Sequence, residues 1–447
     1  MNDKIVMPVW TFGLFIVVMN TTMFNVSIPG IIHDLHISAD LGSWIISSYS
    51  IGYALSTIIY SRLSDSVPIR RLVAVGLSIL GLSSMFGLFV TSFHTLLAAR
   101  ILQSAGAGTM AGLGLVLASR YIPYERRGSA IALISAGSAM AFGLGPIVGG
   151  IISEYFGWNG LFAVTCLVLI LLPILIRLLP KEEPKPFTFD VAGAVLTVLN
   201  AVTLLTAVTQ RSLLWFLASV LTFAVHGWHL QKSKETFINV ELLKNPSYLK
   251  LSAVGFCILV LNLGNLFLMP LALSHLFEKS PLVIGMMIAP GAILSAFLTR
   301  FVGQWIDRYG NHRFLLIGHG MLAAVMAVFA LDLVSSPVII MIGYICFAPA
   351  YSASISALNN ETSRILPKKR IGSGMGLMQL IQFFGGSISV ALCGLLLAVQ
   401  TKVSIGTAYQ HVYLILFFIS LCSLGVLFWY RRSTTRGNLQ GSVESAS

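Results

Sequence analysis

Charge is what this chain has least of. Its 447 residues hold 28 Lys and Arg and 16 Asp and Glu, so charged types make up 10% of the sequence, against about 25% in an average soluble chain. A water-soluble core of this length could not cover itself with so few charges, which excludes one or several soluble domains. The net charge of +12 does not point to nucleic acid, because such binding needs bases gathered on one face with aromatics among them. Here the bases come in short groups between apolar runs. The five cysteines (Cys166, Cys257, Cys346, Cys393, Cys422) lie inside those runs with no C-x-x-C pair, which excludes a disulfide framework and a thiolate metal site. Acid is missing in a more telling way: no Asp or Glu stands at mid-depth in any apolar run.

What is present is grease. Apolar types make up 56% of the chain and the mean hydropathy is +0.87. A membrane-crossing helix needs about 20 mostly apolar residues. Fourteen such runs lie at 6–28, 42–61, 72–91, 94–117, 128–152, 158–179, 190–209, 212–230, 250–273, 282–301, 314–333, 337–358, 372–399 and 412–430. A single Lys4 precedes the first run and many similar ones follow, so it reads as a retained span rather than a cleaved signal. With the N-terminus inside, the outer loops hold only Arg211, Lys279 and Lys402, and Arg100 falls within a run. Every other base then lies on the inner surface or tails, which orients both termini toward the cytoplasm.

Two loops repeat. "SRLSDSVPIRR" (Ser61 to Arg71) follows the second run, and "GQWIDRYGNHR" (Gly303 to Arg313) follows the tenth. Asp65 aligns with Asp307 and Arg71 with Arg313, at an offset of 242 residues. The second unit therefore starts at the ninth run. The expected architecture is an all-α integral membrane protein of fourteen helices: a six-helix bundle over 1–180, two inserted helices with cytoplasmic linkers over 181–249, a second six-helix bundle over 250–432, and a disordered cytoplasmic tail over 433–447. Repeated bundles of this kind rock about a midplane site in secondary transporters.

These motifs resemble those of the major facilitator superfamily. The first loop is similar to its G-x-L-x-D-x-x-G-R-[RK] signature, and the second copy to the D-R-x-G-x-R form. "RILQSAGAG" (Arg100 to Gly108) is similar to its R-x-x-Q-G segment. "GLGPIVGG" (Gly143 to Gly150) is similar to the G-P-x-x-G-G signature of drug:proton antiporters. "FDVAGAVL" and the fourteen runs resemble the subfamily of tetracycline and staphylococcal multidrug exporters. There are departures. Ser61 and Pro68 replace the two glycines of the first loop. In the first run, where the subfamily commonly reads L-D-x-T-x-x-N, this chain reads Met19-Asn20-Thr21-Thr22-Met23-Phe24-Asn25, so Asn20 stands in place of the acid.

The resemblance implies a role for each motif. Asp65 with Arg70 and Arg71, and Asp307 with Arg308 and Arg313, would latch the inner mouth. Arg100 would polarise a proton site or orient Gln103. Gly145, Pro146, Gly149 and Gly150 would bend and pack a helix between the bundles. Polar and aromatic side chains in the apolar runs are the candidate cavity lining: Asn20, Thr21, Asn25, Tyr49, Tyr53 and Gln103 in the first half, and Asn262, Asn265, Gln379, Gln382 and Phe383 in the second. The expected function is proton-coupled export of lipophilic drugs and dyes, cations among them, by a monomer in the bacterial cell membrane. It uses no cofactor beyond the coupling proton. Asp34, then Glu154, are the candidate proton carriers beside Arg100, and Asn20 is the expected drug contact. The rival readings are export of one metabolite or lipid precursor, and a membrane transferase. The transferase would need a nucleophile, base or metal cluster that the sequence does not display.

Overall fold

The computed structural model describes residues 3–183, 189–233, 236–238, 240–367 and 371–444. Over these the chain is a stack of helices, as lipid demands: with no water to satisfy backbone groups, an apolar segment must close its hydrogen bonds on itself. The first half comprises α1 (Asp3–Asp34), α2 (Ala39–Leu63), α3 (Ile69–Gly87), α4 (Phe93–Tyr121), α5 (Tyr124–Phe156), α6 (Gly160–Cys166) and α7 (Val168–Leu178). Then come α8 (Val191–Gln210), α9 (Leu213–Lys232) and the single turn α10 (Val240–Leu243). The second half runs through α11 (Pro246–Phe277), α12 (Pro281–Tyr309), α13 (Asn311–Asp332), α14 (Pro337–Ile365), α15 (Ile371–Val399) and α16 (Ile405–Glu444).

Thirteen helical stretches are long and apolar enough to cross a membrane, with α6 and α7 counting together as Gly160–Leu178. The remaining long helix is α2, whose serines and tyrosines dilute its hydropathy; sixteen of its residues are nonetheless buried, from Gly42 to Tyr60, because it packs between other helices. The short turn expected between the inserted helices is real. Arg211 takes it in the left-handed region, at φ 48°. The tail differs from expectation: α16 continues as helix to Glu444, with no proline to stop it.

Helix starts follow local chemistry. Ser92 and Thr95 form a reciprocal capping box at α4, and Asn245, Asp190 and Ser336 accept first-turn N–H groups of α11, α8 and α14. Each such cap contributes about 1 kcal/mol.

The two halves meet along two seams, α5 against α12 and α2 against α15, with α1 touching α11 between them. The inserted helices pair with each other, and α8 leans on α15 and α2. One end of the assembly carries the 63–69 and 309–311 turns and most of the bases; it is called the basic end below, and the opposite one the far end.

Candidate functional site

A cavity of about 910 Å³ lies between the halves and opens at the basic end. Its size falls within the 300–1,000 Å³ usual for small-molecule sites. Both halves line it. Thr21, Tyr53 and Thr57 face it from the first, and Asn262, Tyr351, Gln379, Gln382 and Phe383 from the second, with Arg62, Asp65 and Arg120 at the mouth. The sequence candidates thus divide: six of them line the cavity, while Asn20, Asn25, Tyr49, Gln103 and Asn265 do not.

The structure gives Asn20 a different task from the drug contact expected of it. It is 0% exposed, and its Oδ1 accepts from Arg100 Nη1 at 2.7 Å while its Nδ2 donates to Thr165 Oγ1 at 3.0 Å. Arg100 also donates to Gln103 Oε1 at 3.0 Å and to the Ile45 carbonyl at 3.5 Å, and Gln103 Nε2 donates to Ser84 Oγ at 2.8 Å. The guanidinium lies between the rings of Phe24, 4.0 Å from its centroid, and Tyr49, at 3.9 Å. Arg100 is fully buried, as are its neighbours Phe24 and Tyr49. Its partners are amides, a carbonyl and two ring faces, and no ion pair joins it to a carboxylate among the described residues. The polar patch of α1 therefore braces a buried cation. Asn265, likewise, accepts from the Tyr413 hydroxyl at 3.0 Å, tying α11 to α16. Asn25 is buried with both amide atoms unpartnered.

At the mouth, Asp65 pairs with Arg120 at 2.5 Å, and Arg120 also donates to the Ser64 carbonyl at 2.6 Å. The nearest bases in sequence, Arg70 and Arg71, form no ion pair with Asp65 among the described residues. They lie on α3, which turns away, whereas the end of α4 returns beside the loop. Arg120 was missed because its partner lies 55 residues back; a base at the inner end of the fourth run was the available signal. In the second copy Asp307 sits in the last turn of α12, and its side chain is outside the described residues. Arg308 lies over the Tyr309 ring at 5.4 Å, and Arg313 is exposed. A glutamate ties helices in each half at this end. Glu182 accepts from the Ile69 N–H at 2.5 Å and from the Tyr121 hydroxyl. Glu361 accepts from Asn311 Nδ2 at 2.6 Å and from the Tyr430 hydroxyl at 2.8 Å. Burial, then the Glu182 carboxylate, pushes the Tyr121 hydroxyl up to about 12.

The far end is shut. The glycine motif of α5 does two jobs there. A Cβ on Gly149 would lie 2.8 Å from Met23 Cα of α1, so this glycine packs its own half. A Cβ on Gly150 would lie 2.7 Å from the Pro281 carbonyl of α12, and the Pro146 carbonyl abuts Gly285, so these close the seam. Gly145 packs on Thr22 of α1. On the other seam Ser47 Oγ donates to the Ser387 carbonyl at 2.9 Å. Glu154 Oε2 accepts from the Leu282 N–H at 3.3 Å, so an acid of one half caps a helix of the other. Asp34 is exposed and bonds His33 at 3.2 Å. Neither acid pairs with Arg100 among the described residues.

The inserted pair reaches the cavity too, through a residue that sequence reasoning missed. Phe237, in the linker after α9, lines the mouth; its N–H donates to Asp190 Oδ2 at 2.9 Å, and Asp190 bonds His229 at 2.9 Å. Burial works to raise the Asp190 carboxyl. The hydrogen bonds from the Gly193 and Phe237 N–H groups and from His229 outweigh it and hold the group below its ordinary value. No group of three or more potential metal ligands occurs among the described residues.

The profile described as Major Facilitator Superfamily matches residues 10–390 and 251–445. The riboflavin transporter RibZ of Clostridioides difficile (strain 630) is 23% identical over 394 residues, covering 87% of this chain and 86% of its own. The putative multidrug resistance protein MdtD of Enterobacter sp. (strain 638) is 25% identical over 418 residues, covering 90% and 88%. Among solved structures, a bacterial homologue of the human lysosomal transporter Spinster, in an inward-facing and unoccupied conformation, has a TM-score of 0.71 at 14% identity, covering 97% of this chain and 98% of that one. The nucleoside transporter NupG gives 0.64 at 16%, covering 96% and 99%.

Proposed function

Since this chain belongs to the major facilitator superfamily, we propose that it exports lipophilic drugs and dyes from a bacterial cell by alternating access, in exchange for protons. The observation that carries the reading is the asymmetric cavity: lined by both halves, open at the basic end and closed at the far end by two crossed seams. With the basic end in the cytoplasm, this is the state that loads an exporter. Rocking would close the mouth against Asp65, which stands exposed on Arg120. The start of α15 would then approach it, and a helix N-terminus near a carboxylate contributes about 0.3–1 kcal/mol, enough to bias a rocking equilibrium without freezing it.

Of the two candidate carriers, Glu154 is the better placed. Its carboxylate holds the far seam through the Leu282 N–H, so a proton arriving from outside weakens that contact and favours opening there. Asp34 makes its contact with His33 in the last turn of its own helix. One proton driven by 100 mV yields about 2.3 kcal/mol, and a unit of pH adds about 1.4, which exceeds the seam contact it must release.

The test is purified protein in liposomes with an imposed pH gradient. Gradient-driven movement of an uncharged lipophilic drug or dye is expected, together with counterflow of protons that Glu154→Gln abolishes while leaving substrate binding intact. Substrate movement indifferent to the gradient refutes proton exchange. A second reading, export of one physiological compound, is favoured by the similarity to a protein named as a riboflavin transporter; a panel in which a single compound moves would select it.

A further inference from the structure

Resting on the transporter reading above, we infer that the cavity rejects positive charge and takes a planar heteroaromatic that carries carbonyl acceptors and no cationic group. This departs from the sequence expectation that cations are among the substrates.

Three observations combine. The first is Arg100, a fully buried cation whose described partners are all neutral. It does not line the cavity, but it stands close behind its wall. The guanidinium covers Tyr49 at 3.9 Å, Tyr49 stacks on Tyr53 with centroids 6.3 Å apart and planes 4° from parallel, and Tyr53 lines the cavity. At an effective dielectric of about 20, a unit charge roughly 10 Å away alters the affinity for a monovalent ion by roughly tenfold. Ring faces by themselves attract cations, and those of Tyr53, Tyr351 and Phe383 in the lining act against this field.

The second observation is that no acid among the described residues cancels this field. The acids whose backbone is described fall in loops or near helix ends. Among the described lining residues the one carboxylate is Asp65, at the mouth, paired with Arg120 and accompanied by Arg62. A lipophilic cation entering the deep end would lose its hydration with no counter-ion to replace it.

The third observation supplies the positive half of the claim. Gln382 lines the cavity, is 5% exposed, and its Nε2 has no acceptor. The missing side chain of Gly255 makes room for it, since a Cβ there would lie 3.1 Å from that nitrogen. That nitrogen is packed against Gly255 in this state; a turn of the Gln382 side chain toward the cavity would let it donate to an acceptor on the ligand, and Gln379 and Asn262 add further amides to the lining. In the same lining Tyr53 and Phe383 meet edge to face, with centroids 5.6 Å apart and an interplanar angle of 70°, which offers a flat ring a surface to stack on. The chemistry that satisfies the site is a carbonyl-bearing aromatic plane.

The test is equilibrium binding to the purified full-length protein in detergent, with two planar fluorescent probes of similar size: lumiflavin, uncharged with two carbonyls, and ethidium, a cation. Wild type is expected to bind lumiflavin at least tenfold more tightly than ethidium. Gln382→Leu should weaken lumiflavin binding about tenfold with an unchanged unfolding temperature. Gln382→Glu, which puts a carboxylate where the donor was, should reverse the preference, with Gln379→Glu as the second variant if the first fails to fold. Equal or tighter ethidium binding by wild type, binding of neither probe, or no reversal in either glutamate variant overturns the inference. The transport reading is judged separately: a protein that binds lumiflavin selectively yet moves no substrate across liposomes retains the charge preference and loses the exporter.

Discussion

Asn20 offers the sharpest test, because sequence and structure assign it different work. As a cavity residue it would touch substrate and contribute little to the fold. As the structure places it, Asn20 gives Arg100 its shortest hydrogen bond, at 2.7 Å, and Asn20→Leu removes that acceptor and the donor to Thr165. A hydrogen bond to a charged group contributes about 1.5–3 kcal/mol and a neutral one about 1. The new apolar surface returns about 1 kcal/mol, leaving a net destabilisation of about 1.5–3 kcal/mol. Asn20→Asp behaves differently. At 2.7 Å and an effective dielectric of 20 the gross attraction is about 6 kcal/mol, against several for desolvating the new carboxylate, so stability changes little while the field of Arg100 is cancelled. Denaturant unfolding of the purified protein reads the first effect, and ethidium affinity, which should rise in Asn20→Asp alone, reads the second. An Asn20→Leu protein as stable as wild type but with weakened substrate binding would refute the brace and restore the drug contact.

Three further outcomes are expected. Glu154→Gln loses a charged hydrogen bond at an exposed site, worth about 0.5–1 kcal/mol once screened, so far-end opening should rise roughly two- to fivefold, read by thiol labelling of a cysteine placed beside Leu282; unchanged labelling counts against the acid as a seam contact. Gly150→Ala and Gly149→Ala insert the same methyl at different joints: the first should wedge the seam at the Pro281 carbonyl and favour far-end opening, whereas the second should cost about 1–3 kcal/mol of stability with no change in labelling. Asp190 contributes stability that is fully present above its unfolded value of 3.8 and is lost as pH falls through its lower folded value, so the unfolding-temperature gap between wild type and Asp190→Asn should shrink progressively as pH falls below 3.8.

Much of the fold was legible because the membrane makes period and composition decisive. A run of twenty apolar residues has one way to satisfy its backbone, and the repeat of Asp65 at Asp307 placed the second half. Arg100 was legible for the same reason, since a charge inside a span is expensive enough to demand a purpose. What could not be read was partnership. Asn20 and Arg100 are 80 residues apart, and a polar atom facing a neighbouring helix looks, in sequence, like one facing a cavity. The same ambiguity hid Tyr351 among the cavity aromatics and drew the latch base from the adjacent Arg70 and Arg71 instead of Arg120. It also left the inserted helices without a role, although Asp190 ties them to Phe237 at the mouth.

The missing acid and the braced arginine belong to one design. A carboxylate at Asn20 would neutralise Arg100 and give the centre a titratable partner within reach of the cavity wall. With an amide there, the centre holds a buried charge braced by neutral partners. Among the described residues the acid seen to cross between halves, Glu154, touches the seam rather than the cavity. Proton and substrate need not compete for one site in such an arrangement. In the proposed exchange they would bias the same two-state rocking from different parts of the molecule, and coupling between them would be the difference in how well each binds the two states.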